Sequence, residues 1–118
     1  MSSKEFQDAI VELYQGEVIG EVFFNDMCVN FEAPGQRRKI ASLLQLETET
    51  KARLRPFVVS LGIDPTELET SRELGHKFAE DLRKLSWMET MERLRDVVQK
   101  YVVPVSYTHL TLPTNREV

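Results

Sequence analysis

Cysteine is almost missing from this sequence: Cys28 is the only one among 118 residues. A lone thiol cannot close an internal disulfide, and without a Cys-x-x-Cys pair there is no zinc-ribbon or thiol-redox motif. That usage fits a reducing compartment, so a cytoplasmic location is expected. Positive charge is not in excess either. The formal net charge is −4, so nothing draws the chain to nucleic acid or to an acidic membrane surface. No apolar run is long enough to span a bilayer. Met1-Ser2-Ser3-Lys4-Glu5 leads directly into a charged amphipathic segment, unlike a signal peptide. A glycine-rich phosphate loop and a Ser/His/Asp grouping are lacking as well. What remains is ordinary for a globular domain: 42% apolar and 29% charged residues, enough for one domain with a modest core.

The apolar residues recur at helical spacing. From Ser3 to Glu32 one face reads Phe6, Ile10, Leu13, Glu17, Gly20, Phe24, Met27, Phe31, which predicts a long first helix capped by Ser2 or Ser3. Ala33-Pro34-Gly35 ends it. A second helix is expected from Gln36 to Leu61, with Ile40, Leu43, Glu47, Thr50, Leu54, Phe57 and Leu61 on its face. Pro56 should kink it or end it early, and Gly62 stops it. Asp64-Pro65-Thr66-Glu67 reads as N-cap, first-turn proline and third-position acid of a further helical turn. That turn leads into a segment carrying Leu74, Phe78, Leu82 and Leu85. Ser86-Trp87-Met88-Glu89 is a second capping box, opening a helix whose face holds Trp87, Met91, Leu94, Val98 and Tyr101. The expectation is an all-α antiparallel bundle, with no internal repeat and no strand signal in residues 1–104.

Two carboxylates interrupt these greasy faces. Glu17 and Glu47 sit mid-stripe, where an acid is costly to bury without a partner. The short Pro-Gly link makes the first two helices antiparallel neighbours. Counted from Pro34, Glu17 and Glu47 then lie about one turn, roughly 6 Å, apart along the axis. Glu21 falls level with Glu47, nearer the edge of the stripe. A metal ion or a carboxylate pair would bridge such groups. The alternative is that the acids are structural, satisfied by Tyr14, Lys51 or a nearby arginine.

Carboxylate-bridged metal sites in bundles take a Glu from one helix and a Glu-x-x-His pair from the next, donors that suit iron or manganese. With Glu17 in YQGEVIGEVFF and Glu47 in LLQLETETKARLRP, residues 4–103 resemble the ferritin-like superfamily of rubrerythrin-like and related di-iron helical bundles. The resemblance implies a four-helix bundle in which Glu17 and Glu47 match the first- and second-helix ligands, with Glu21 close by. This chain departs from the pattern at Thr50, which stands where the His would be, and in lacking the fourth helix with its second Glu-x-x-His. Glu89 and Glu92 point away from the Trp87–Tyr101 face. Two functions follow from this reading: a metal handler or oxidoreductase using iron or manganese, or a non-catalytic helical interaction module whose inner glutamates are structural.

Residues Val105–Thr114 read VSYTHLTLPT. This stretch resembles the one-frame translation of a transposase-based sequencing-library adaptor. Helix formers give way there to Thr and Pro, and charge vanishes from Val102 to Asn115. Residues 105–118 are therefore expected to be a non-native tail, residues 1–104 an incomplete ferritin-like domain, and the natural protein longer. A bundle short of one helix leaves an apolar groove along Phe24, Leu43, Leu54 and Leu94, so a homo-oligomer through helix faces is expected. Gly16-x-x-x-Gly20 is expected to serve close helix packing. Cys28 reads as a buried thiol, and His76 and Arg37-Arg38-Lys39 as solvated surface.

Overall fold

The computed structural model describes residues 3–102, with side chains to Lys100. They form four α-helices: α1 (Ser3–Met27), α2 (Pro34–Ser60), α3 (Glu69–Leu82) and α4 (Trp87–Val97). A π-helical turn, Val98–Val102, follows α4. No strand occurs among the described residues. The all-α expectation holds at that level. The tail at 105–118, with Tyr107 and His109, lies outside the described residues. Two compact units divide the chain, one of residues 10–84 and one of residues 3–9 with 85–102.

In the 10–84 unit, α1 and α2 run antiparallel. Thr48 and Lys51 reach Glu21, whereas Arg55 reaches Tyr14, so rising numbers on α2 meet falling numbers on α1. α1 ends five residues before the expected Glu32. Val29 and Asn30 are weak helix formers, and the Asn30 amide donates to the Arg83 carbonyl at 3.3 Å. Phe31 stays buried without being helical. α2 starts at Pro34, where a missing N–H costs nothing. Pro56 does not end α2, which continues to Ser60. Leu61 caps it, and Gly62 follows at φ 76°. The Gly62 and Ile63 amides donate to the Val59 and Val58 carbonyls, a Schellman closure that requires the left-handed residue.

Two faces of α1 are buried, not one. Phe24 and Met27 belong to the expected stripe, but Tyr14, Val18 and Val22 form a second buried line. The second line is explained by α3, which packs through the small residues Ser71, Gly75 and Ala79. A β-carbon on Gly75 would fall 2.7 Å from the Ile19 carbonyl oxygen and 2.9 Å from the Val22 side chain. Helix backbones come this close only where side chains are absent. Leu74 and Phe78, the apolar positions of the sequence pattern, are consequently exposed. None of the four residues expected along the groove is itself exposed. Phe24 is buried, and Leu43, Leu54 and Leu94 are half-buried.

The expected helix start at Asp64 does not form. Residues 63–68 take no regular secondary structure, and α3 begins at Glu69 after an extended, uncapped Leu68. Asp64 instead accepts from its neighbour Thr66, through both backbone N–H (2.9 Å) and hydroxyl (2.6 Å). Two residues of α1 fasten the strap. Tyr14 Oη donates to the Pro65 carbonyl at 2.8 Å. The Gln15 amide donates to the Thr66 carbonyl and accepts from the Leu68 N–H, replacing backbone pairing on both sides.

In the other unit, α4 opens with the expected capping box. The Glu89 N–H donates to Ser86 Oγ, and the Ser86 N–H donates to Glu89 Oε1 at 3.0 Å. Glu89 and Glu92 are exposed, as read from the pattern.

Candidate functional site

Glu17 and Glu47 meet across the antiparallel pair α1 and α2. Glu47 lies directly over Gly20: a β-carbon there would sit 2.7–2.9 Å from the three atoms of its carboxyl group. The glycine thus supplies the space the carboxyl occupies. Gly16, its partner in the small-residue motif, is exposed and touches nothing at that range, so only one of the two glycines serves packing. Burial, a hydrogen bond with Glu17 and the charges of Glu17 and Glu21 together push the Glu47 carboxyl up to about 9. The Glu17–Glu47 pair therefore keeps a proton at neutral pH.

Glu21 has a different fate. Its Oε1 accepts from Lys51 Nζ at 2.6 Å and its Oε2 from the Thr48 hydroxyl at 2.5 Å. Burial pushes this carboxyl up, but the Lys51 and Thr48 hydrogen bonds outweigh it and hold Glu21 below the usual carboxylate range. Lys51 Nζ also donates to Glu67 Oε2 at 2.9 Å, with its side chain only 10% exposed. Burial lowers the Lys51 ammonium, while the bonds to Glu21 and Glu67 more than restore it. Arg55 extends the network, donating from Nη2 to Glu67 at 3.3 Å and from Nε to Tyr14 Oη at 3.2 Å. Arg72 of α3 closes it with a 3.4 Å contact to Glu67 Oε1.

Beside this network lies an open cleft of about 290 Å³. Glu21, Val22 and Asn25 of α1 line it, with Leu44 and Thr48 of α2 and Arg72 and His76 of α3. His76 is exposed, as expected, yet not simply solvated, since its Nδ1 donates to Asp26 Oδ2 at 2.5 Å. Cys28 is half-buried, and Arg37, Arg38 and Lys39 are exposed.

Of the three candidate ligands, Glu17 and Glu47 are brought together and Glu21 is drawn off to Lys51. The two partners expected to satisfy a structural Glu47, Tyr14 and Lys51, are engaged elsewhere; Tyr14 holds the strap and Lys51 holds Glu21 and Glu67. Sequence reasoning missed Glu67, which it had placed in a helix cap. The available signal was Lys51 and Arg55, two cations one turn apart on α2. Among the described residues no group of three or more His, Cys, Asp or Glu side chains is disposed to hold a metal ion. Thr50 leaves the i+3 position of α2 without an imidazole, and His76 is committed to Asp26. The donors present therefore do not make up a carboxylate–imidazole metal site. No helix among the described residues is long and apolar enough to cross a membrane.

No family model, no curated protein and no solved structure matches the chain.

Proposed function

We propose that this chain is a non-catalytic helical interaction module on a ferritin-like scaffold, in which the inner glutamates are structural. One observation carries the reading: each acid that a metal would need already has a partner within the protein. Glu47 is neutral and paired with Glu17, and both oxygens of Glu21 are taken by Lys51 and Thr48. A metal would have to displace a proton and compete with an ammonium at 2.6 Å. The interaction surface is supplied by apolar side chains left outside on two helices, Leu46 (57% exposed) on α2 and Leu74 and Phe78 on α3. Side chains of this kind favour association through helix faces, and a second copy of the chain is the simplest partner.

A specific observation favours a second reading, that of a carboxylate-bridged iron or manganese protein. Glu17 and Glu47 meet across α1 and α2, and they are the residues that the ferritin-like resemblance matches to first- and second-helix ligands. Elemental analysis of purified protein, with light scattering on the same sample, separates the two. The module reading expects substoichiometric iron and manganese, and association that weakens in Leu74→Ser/Phe78→Ser. Near-stoichiometric metal that is lost in Glu47→Gln would establish the second reading instead.

A further inference from the structure

The cleft beside the ion-pair network has a charge left over. Three cations enter the network, Lys51, Arg55 and Arg72, against two carboxylates, Glu21 and Glu67. Lys51 holds both acids at the shortest distances. Arg72 makes one side-chain hydrogen bond among the described residues, at 3.4 Å to Glu67; its charge also acts on Glu21, and its side chain is 44% exposed. The other charged groups facing the cleft are already committed. Glu21 has both oxygens occupied, and His76 is bonded to Asp26. The lining combines this underused guanidinium with the polar Asn25 and Thr48 and the apolar Val22 and Leu44.

We propose that this cleft binds a small organic monocarboxylate, its carboxylate on Arg72 and its hydrocarbon part against Val22 and Leu44. A planar guanidinium fork matches a carboxylate in two parallel hydrogen bonds, which a point charge does not. At about 30 Å³ per water-sized group, 290 Å³ admits a ligand of roughly ten non-hydrogen atoms. Small-molecule sites share this composition, an apolar wall with a few convergent polar groups that set orientation. The inference is independent of whether the Glu17–Glu47 pair holds a metal.

The test is a titration of the full chain with sodium hexanoate at constant ionic strength, followed by backbone amide shifts. Saturable shifts confined to residues 21–25, 44–48 and 72–76 are expected, with a dissociation constant in the millimolar range. Hexanamide, which keeps the tail and lacks the charge, should bind at least fivefold more weakly. So should Arg72→Gln, an exposed position where loss of charge spares the core. Asn25→Trp, also exposed, fills the cleft and should abolish the shifts while leaving the rest of the spectrum in place. Absence of saturation overturns the proposal. So does binding that Arg72→Gln leaves unchanged, or equal binding of hexanamide.

Discussion

Replacing Glu47 by glutamine tests the central contact of the 10–84 unit. The Glu47 carboxyl is pushed from its ordinary 4.5 to about 9 by burial, by the Glu17 hydrogen bond and by neighbouring negative charge. The folded state therefore holds this proton more tightly than the unfolded chain does. Stability is full below the unfolded value, near pH 4.5, and falls as the pH rises toward 9, because folding must keep a proton that the unfolded chain releases. At pH 7 the gap is about 2.5 pH units, or roughly 3 kcal/mol at ~1.4 kcal/mol per unit. Water reaching the half-buried carboxyl, and coupling to Glu17, reduce this to about 1–2 kcal/mol. Glutamine has the shape of the protonated acid, keeps a donor for Glu17 and does not titrate. Glu47→Gln should therefore match the wild type at pH 5 and exceed it by about 1–2 kcal/mol at pH 7, a rise in melting temperature of about 5 °C. Denaturant and thermal unfolding followed by circular dichroism at pH 5, 7 and 8.5 measure this directly. A variant less stable than the wild type at pH 8, or one with the same pH slope between 5 and 9, would refute the proton-sharing account. Leucine is the poorer probe, since it removes the acid and leaves the Glu17 carboxyl without its donor.

Two further outcomes follow from the packing and the ion pairs. Gly75→Ala should destabilise by about 1–3 kcal/mol in urea unfolding, since its β-carbon meets the Ile19 backbone oxygen, which cannot turn aside. Gly20→Ala meets only the mobile end of Glu47, so it should stay within about 1 kcal/mol of wild type, the helix-propensity gain offsetting the displaced carboxyl. Equal losses at the two glycines would contradict the packing described for α3. Lys51→Met keeps the aliphatic stem but strands Glu21 and Glu67, and should cost about 2–3 kcal/mol. Part of that loss should return in Lys51→Met/Glu21→Gln; a double variant no better than the single one would argue against the pairing.

Helical identity was legible in the sequence because it depends on local matters. The period of the apolar residues, Gly62 at the end of α2 and the Ser86–Glu89 box all act within a few residues of chain, and each appears in the structure; Pro34, expected to end the first helix, instead opens α2. The antiparallel pairing of α1 and α2 was legible too, since a short link leaves two long helices little other choice. From that pairing alone Glu47 could be placed about one turn from Glu17 and level with Glu21. Other features were settled by contacts between residues far apart in sequence. The Asp64 motif has the residues of a helix start, yet Tyr14 and Gln15, some fifty positions earlier, hold that strap in a non-helical path. Leu74 and Phe78 look like a core face, but α3 turns Gly75 and Ala79 inward because only small side chains let its backbone reach α1. Glu21 and Glu47 are the same residue type on neighbouring helices, and nothing local tells them apart. Lys51 and Thr48 keep the first ionised, while burial over Gly20 beside Glu17 keeps the second protonated. Charge state is set by what surrounds a group in space, so the sequence could supply the acids and their register, and only the tertiary structure could assign the proton.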